Sequence, residues 1–266
     1  MRKLAYILGA ALLVLSAAAC SRQELPGNET VTVRFNVAPA TEAMIGTKSA
    51  DAASQLLVGV FDASGNPLAG LEKVVSAGAS GFSFDLSLVE ALSYKVVLLA
   101  QAPGRYVSTD DSWTAASLKA VSLAGTGFST ENDDLFTASL TVNPADGNSV
   151  NVTLSRPLAR VNVATSASLD GITKARFEFP GLPATLDALT GETSGTQDIV
   201  VEGAPDGGTY ADTYNFIGYA YVPARATATS ITATVTLSND SGPVRTKTIE
   251  NLPLQRNRRT NVLGNI

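Results

Sequence analysis

There is no histidine anywhere in the 266 residues. That absence removes, together, the commonest general base near neutral pH and the commonest metal ligand. It excludes Ser-His and Cys-His nucleophiles and any zinc or iron site built on imidazole. Cysteine occurs once, so no disulfide can close within the chain, and the fold must rest on its core. Tryptophan also occurs once. Charge is sparse and slightly one-sided, 19 Lys and Arg against 24 Asp and Glu, a formal net charge of −5. That balance argues against nucleic acid as a partner and against a basic membrane-binding face. No apolar run reaches the roughly 20 residues that span a bilayer. What the chain does have is 45% hydrophobic residues, enough for a core, punctuated by 22 Gly and 12 Pro.

The remaining candidates for chemistry are few. Carboxylates pair at Asp110-Asp111 and Asp133-Asp134. Neither pair has the alternate ligand spacing of a Ca²⁺ loop, and they read as a helix N-terminus and a polar loop. Gly125-Thr-Gly127 is a two-glycine turn with no Lys-bearing strand–helix unit behind it, so it is not a phosphate loop. No Lys stands three residues after a Ser, which removes the Ser-x-x-Lys nucleophile. Trp113 and the seven tyrosines could form a sugar-stacking platform, or pack as core and surface. Arg256, Arg258 and Arg259 make a local basic cluster that reads as the rim of a strand. No catalytic site, no metal and no cofactor is expected.

The first twenty residues are different in kind. Arg2 and Lys3 precede an apolar run from Leu4 to Leu15, and Ser16-Ala17-Ala18-Ala19 lead directly to Cys20. This is the three-part pattern of a secretory signal, too short and wrongly flanked for a spanning helix. The small-small-Cys ending resembles the lipobox of bacterial lipoproteins, in which that cysteine carries the lipid. It differs in having Ala17 three before the Cys, where Leu, Ile or Val is usual. Cys20 is also the chain's one cysteine. Residues 1–19 are therefore expected to be a signal peptide and residues 20–29 a lipidated, flexible tether. Removing residues 1–19 leaves 247 residues and takes the net charge to −7, because Arg2 and Lys3 leave with them.

From residue 30 the chain reads as strands. Val31, Val33, Phe35 and Val37 alternate with Thr30, Thr32, Arg34 and Asn36, the pattern of a half-buried strand. Residues 38–53 have no period and contain Gly46-Thr47-Lys48-Ser49, an exposed loop. Further strands are predicted at 56–61, 82–88, 94–100, 135–142, 150–154, 158–164, 174–179, 197–202, 214–222, 231–237, 244–250 and 260–266. Asp62 to Pro67 and Asn239 to Pro243 carry turn chemistry. One helix is predicted, Thr109 to Val121, with Ala115, Leu118 and Val121 on a shared face. A helical turn is predicted through Leu182, Leu186 and Leu189. Arg34-Phe-Asn-Val-Ala38 recurs as Arg160-Val-Asn-Val-Ala164, which supports two domains that open with the same strand. The boundary falls at Ser155–Pro157, giving domains at 30–155 and 156–266. Many short strands divided by turns mean all-β, two β-sandwiches in series or one larger one.

Several features now coincide in order. After the Cys20 junction, the tether and the Val-rich strand come Gly46-Thr-Lys48 and Leu56-Leu-Val-Gly-Val-Phe-Asp62-x-x-Gly65. Midway stands Leu154-Ser-Arg-Pro-Leu-Ala-Arg-Val161, and near the end Asn251-Leu-Pro-Leu-Gln-Arg-Asn257-Arg-Arg-Thr-Asn261. In this order the chain resembles the fimbrillin-like lipoproteins of Gram-negative anaerobes, the subunits of type V pili. The resemblance implies two transthyretin-like Greek-key β-sandwiches after a lipoprotein signal peptide. It implies a surface-exposed lipoprotein of the outer membrane, or of the fimbrium, with a structural or adhesive role. Its partners would be other fimbrial subunits by strand complementation, the outer membrane through the lipid, and a host or bacterial surface ligand. It places proteolytic cleavage after Lys48, where stalk subunits commonly have Arg, and it makes Val31, Val33, Phe35 and Val37 the core-facing residues of the strand displaced. A surface glycan-binding lipoprotein of a polysaccharide-uptake system is the alternative.

Overall fold

The segments that alternate become strands with one dry face, and the segments that do not alternate become strands dry on both. In Phe82–Val89 the residues Phe82, Phe84, Leu86 and Leu88 are buried, and Ser83, Asp85 and Ser87 between them are exposed. In Gln55–Asp62 and Tyr94–Gln101 nearly every side chain is buried, the pattern of a sheet covered on both sides. The computed structural model describes residues 29–39, 53–79, 81–110, 113–211 and 213–266. Cys20, Lys48, the signal, the tether up to residue 28 and residues 40–52 lie outside the described residues.

The chain is all-β. Its first half contains β1 Thr30–Pro39, β2 Gln55–Asp62, β3 Lys73–Ser76, β4 Phe82–Val89, β5 Tyr94–Gln101, β6 Val121–Ser122, β7 Leu135–Val142 and β8 Ser149–Leu154. The second contains β9 Leu158–Thr165, β10 Lys174–Leu182, β11 Thr185–Leu186, β12 Thr193–Ser194, β13 Gln197–Gly203, β14 Thr209–Tyr210, β15 Tyr214–Pro223, β16 Thr229–Asn239, β17 Gly242–Leu254 and β18 Arg259–Gly264. The first half forms a sheet β4-β1-β8 facing a sheet β3-β2-β5-β7. The second forms β14-β15-β9-β18 facing β13-β10-β16-β17. Each pair of sheets encloses its own apolar core, one around Phe35, Phe84, Val58 and Leu98, the other around Phe177, Phe179, Ile217 and Val235.

The two halves repeat one topology. β1 opens the first half and pairs antiparallel with β4 and parallel with β8, the last strand of that half. β9 opens the second half and pairs antiparallel with β15 and parallel with β18, again the last strand. The Arg-x-Asn-Val-Ala repeat falls on these two strands.

A third apolar cluster lies between the sandwiches. It joins Leu57, Phe61, Val97 and Leu99 on the outer face of the β2–β5 sheet to Leu158, Leu186, Tyr219 and Tyr221 of the second half. A small sheet β12-β11-β6 also crosses from one half to the other. Close approach is made possible by two glycines. A Cβ on Gly59 would stand 2.7 Å from Leu118 Cδ1, and one on Gly218 would stand 2.4 Å from Phe128 Cζ.

Two expectations are corrected. Thr109–Val121 is not an α-helix: among its described residues the one helical part is a 3-10 segment, Ala115–Lys119, and Val121 belongs to β6. The apolar spacing Ala115, Leu118, Val121 is three, the period of a 3-10 turn, and all three side chains are buried. Leu182, Leu186 and Leu189 do not share a helical turn either. Leu182 ends β10, Leu186 lies in β11, and Asp187 organises the turn that follows by accepting from the backbone N–H of Leu189 and Thr190.

Candidate functional site

β1 is the middle strand of its sheet. Its alternation sends Val33, Phe35 and Val37 into the core, 0%, 0% and 2% exposed, with Val31 half-buried beside them. In register with β4 these four meet Leu86, Phe84, Phe82 and Leu88 in turn. On the other side Phe35, Val37 and Pro39 stand opposite Val150, Val152 and Leu154 of β8. The pair Phe35–Phe84 is stacked, with ring centroids 4.8 Å apart and planes within 2°. The slot that β1 fills is therefore apolar along its floor, with hydrogen-bonding edges of opposite sense at its two walls.

The outer face of β1 is loosely held. Thr32, Arg34 and Asn36 are exposed. Among the described residues its one side-chain hydrogen bond runs from Asn36 Nδ2 to Asn151 Oδ1, at 3.2 Å in an exposed setting. Arg34 makes no ion pair among the described residues.

The equivalent outer face of β9 is covered by tyrosines and an asparagine of its own half and by Glu131 of the first. Arg160, the counterpart of Arg34, lies 3.8 Å over the ring of Tyr219 and pairs with Glu131 at 3.3 Å. Glu131 accepts from Tyr219 Oη at 2.9 Å and Tyr221 Oη at 2.7 Å. Asn162, the counterpart of Asn36, is 2% exposed and donates to Tyr210 Oη and to Asn261 Oδ1, each at 3.0 Å. Just before β9, Arg156 makes a two-pronged ion pair with Asp134 and lies 4.7 Å over the Phe136 ring. Burial alone would push the Arg156 guanidinium down, but the hydrogen bond and charge of Asp134 outweigh it and hold it above its ordinary range. Burial first, and then the Glu131 hydrogen bond, push the Tyr219 hydroxyl well up. Tyr221 is likewise pushed well up, by burial first and the nearby carboxylates second.

These contacts correct the reading of Asp133-Asp134 as a polar loop. Both are buried, Asp133 paired with Arg105 and accepting from the Gly127 N–H, Asp134 paired with Arg156. Asp110 is exposed, and its neighbour Asp111 lies outside the described residues. Among the described residues no three Cys, Asp or Glu side chains stand together as a metal-holding group. The sugar-stacking platform is not assembled from Trp113, Tyr219 and Tyr221: they pack in the cluster between the halves. Arg258 and Arg259 are exposed at the start of β18, whereas Arg256 is half-buried in a hollow.

Three sequence calls meet the structure differently. The core-facing set Val31, Val33, Phe35 and Val37 is brought together in one slot, and Cys20 and Lys48 lie outside the described residues. The ion pairs of Asp133, Asp134 and Glu131 cannot be read from the sequence: their arginine partners are 22 to 29 residues away in the chain, and the tyrosines on Glu131 88 and 90.

A family model described as a family of unknown function, DUF6562, matches residues 25–266. No curated protein matches the sequence. Solved structures with the same fold include a "putative adhesin" from Bacteroides ovatus, 16% identical, TM-score 0.52, over 88% of this chain and 89% of that one. Another is described as "putative polysaccharide binding proteins (DUF1812)", from Bacteroides thetaiotaomicron, 13% identical, TM-score 0.53, over 87% of this chain and 89% of that one. A fimbrial assembly protein from Parabacteroides distasonis aligns over 90% of this chain and 92% of its own, 13% identical, TM-score 0.49. At their identities the likeness to the first two is one of fold.

Proposed function

We propose that this chain, which belongs to the DUF6562 family, is a structural or adhesive fimbrial subunit that assembles by exchange of its first strand. The observation that carries the reading is the contrast within β1. Its inner face is continuous core, yet among the described residues its outer face is held by one exposed side-chain hydrogen bond. Residues 30–155 are the domain that would give up the strand, and residues 156–266 the domain that would stay closed. Cys20 would carry the lipid and bring the chain to the outer membrane, exposed at the surface. Cleavage after Lys48 would sever β1 from β2.

The energetics favour replacement once β1 has gone. Each of its buried side chains contributes roughly 1.5–3 kcal/mol. Its loss would uncover Phe84, Leu86 and Val152 and leave β4 and β8 with unpaired edges facing each other. A strand from another subunit restores the main-chain hydrogen bonds and fills the floor at alternate positions. The shared fold of the described Bacteroides ovatus adhesin supports a surface role. The role is a binding and assembly one, with no catalytic step.

Limited trypsin digestion of the folded protein tests the reading. The cut after Lys48 should come before all others, release the segment bearing β1 and give oligomers when cut subunits are mixed. If Lys48 resists while other sites are cut, or the cut protein remains an intact monomer, exchange fails as an explanation. An uncleaved anchor, or a glycan-binding surface lipoprotein, then takes its place. Cys20→Ala should separately abolish lipid labelling; equal membrane retention of the variant would remove the lipoprotein assignment.

A further inference from the structure

Three connections of the second half converge on one hollow of about 410 Å³. The first is the turn after β11, stiffened where Asp187 accepts from Leu189 N–H at 2.8 Å and Thr190 N–H at 3.2 Å. The second is the turn after β15, which carries Arg225 and Thr227. The third is the turn between β17 and β18, which carries Arg256. The last two are tied together: Arg256 N–H donates to Arg225 O and its Nε to Ala224 O, each at 3.0 Å, and Gln255 Nε2 donates to Ala226 O at 2.9 Å. Turns tied together in this way keep the backbone around the hollow fixed without help from a ligand.

The hollow is lined by Arg225, Arg256, Glu192, Thr190, Thr193 and Thr227. Among the described residues none of the three charged groups makes an ion pair. Because Arg256 spends its Nε on a carbonyl, its two terminal nitrogens remain to face the hollow. Burial pushes the Arg256 guanidinium down, Glu192 offsets that in part, and Arg225 pushes it further down. Two guanidiniums against one carboxylate make the hollow locally positive, within a chain whose net charge is −5.

We infer that this hollow binds an acidic sugar, its anionic group between Arg225 and Arg256 and its ring hydroxyls on Glu192 and the threonines. The guanidinium fork matches the paired oxygens of a carboxylate or a sulfate ester. Glu192 decides between a bare anion and a sugar. An ionised carboxylate only accepts hydrogen bonds, so it repels an anion that has no donor and rewards one that carries hydroxyls. Thr190, Thr193 and Thr227 can both donate and accept, which suits a ring with several hydroxyls. The inference does not rest on strand exchange, since the hollow lies in the other half of the chain from β1. Its failure would leave that reading untouched.

Titration calorimetry on the full chain at low salt tests it with four probes: trigalacturonate, a sulfated galactose disaccharide, galactotriose and inorganic sulfate. One or both acidic sugars should bind, and which one does identifies the anionic group. Galactotriose and inorganic sulfate should each bind about tenfold more weakly or not at all. Arg225→Ala should weaken the acidic sugar by about tenfold; its side chain makes no hydrogen bond among the described residues, so it reports on binding even where Arg256→Gln disturbs the turns. Glu192→Gln should narrow the preference for the acidic sugar over inorganic sulfate. No binding of either acidic sugar overturns the inference. So does equal binding of galactotriose or sulfate, or undiminished binding by Arg225→Ala.

Discussion

β1 and β9 hold the same position in the repeated topology and share the signature Arg-x-Asn-Val-Ala, yet their outer faces have opposite fates. On β1 the signature's Arg34 and Asn36 face solvent. On β9 the same positions, Arg160 and Asn162, are locked into a network of tyrosines, asparagines and a carboxylate from the first half. The inner faces do the same work in both: Val33, Phe35 and Val37 in one core, Val161 and Val163 in the other. The signature therefore specifies where a strand goes. What lies over its outer face specifies how firmly it stays.

The sharpest way to break this comparison is to cut after each strand in turn. With a specific protease site placed in the 166–173 connection, a nick after β9 should leave that strand bound. The cut after Lys48 should let β1 leave. Size-exclusion chromatography and mass spectrometry of the cut samples would distinguish them, and release of β9 as readily as β1 would end the argument. Next in size are two single substitutions, each expected to cost about 3–5 kcal/mol by chemical denaturation. Arg156→Ala strands the buried Asp134 carboxylate, and Phe35→Ala opens a cavity against Phe84. The two should differ in kind: Phe35→Ala should speed loss of β1, and Arg156→Ala should separate the unfolding of the halves. A smaller pair compares the signature with itself. Asn162→Ala removes two part-buried hydrogen bonds, to Tyr210 and Asn261, and should cost about 1–2 kcal/mol, whereas Asn36→Ala, with one exposed bond, should cost under about 1 kcal/mol.

The tyrosines of the β9 network set a pH limit. The folded-state pKa values of Tyr219 and Tyr221 are raised, so the stability tied to their neutral forms is complete below the ordinary tyrosine pKa of about 10 and is lost as pH climbs above it. An alkaline titration followed by tyrosinate absorbance should show these hydroxyls ionising late, together with unfolding. Early ionisation with the fold intact would mean the network is open to water.

Much of the fold was legible because strands declare themselves locally. Phe82, Phe84, Leu86 and Leu88 could alternate in sequence only as one face of a strand. Asn239-Asp-Ser-Gly242 fixed the β16–β17 hairpin by turn chemistry alone. The slot of β1 was half legible: its floor residues follow from alternation, but its neighbours do not, since β8 lies more than a hundred residues along the chain. The polar network was illegible for the same reason. Asp134 and Arg156 are ordinary surface residues until packing brings them together, and nothing near either names the other. The helix expected at 109–121 failed in an instructive way. A spacing of three fits a 3-10 turn better than an α-helix, and Ala115 and Leu118 of that turn pack directly over Gly59.

The side-chain bond between Asn36 and Asn151 spans 115 residues, and that distance is also a delay. During synthesis the middle strand of the first sheet is made first and its closing wall last. β1 can pair with β4 early, but the side it offers to β8 stays unsatisfied until residue 154 has emerged, and pairings of such long range form slowly. For much of its early life, then, the chain presents an open edge to whatever strand is at hand. Under the proposed assembly, a strand that met the chain in this interval would compete with closure by β8 rather than with a finished sheet.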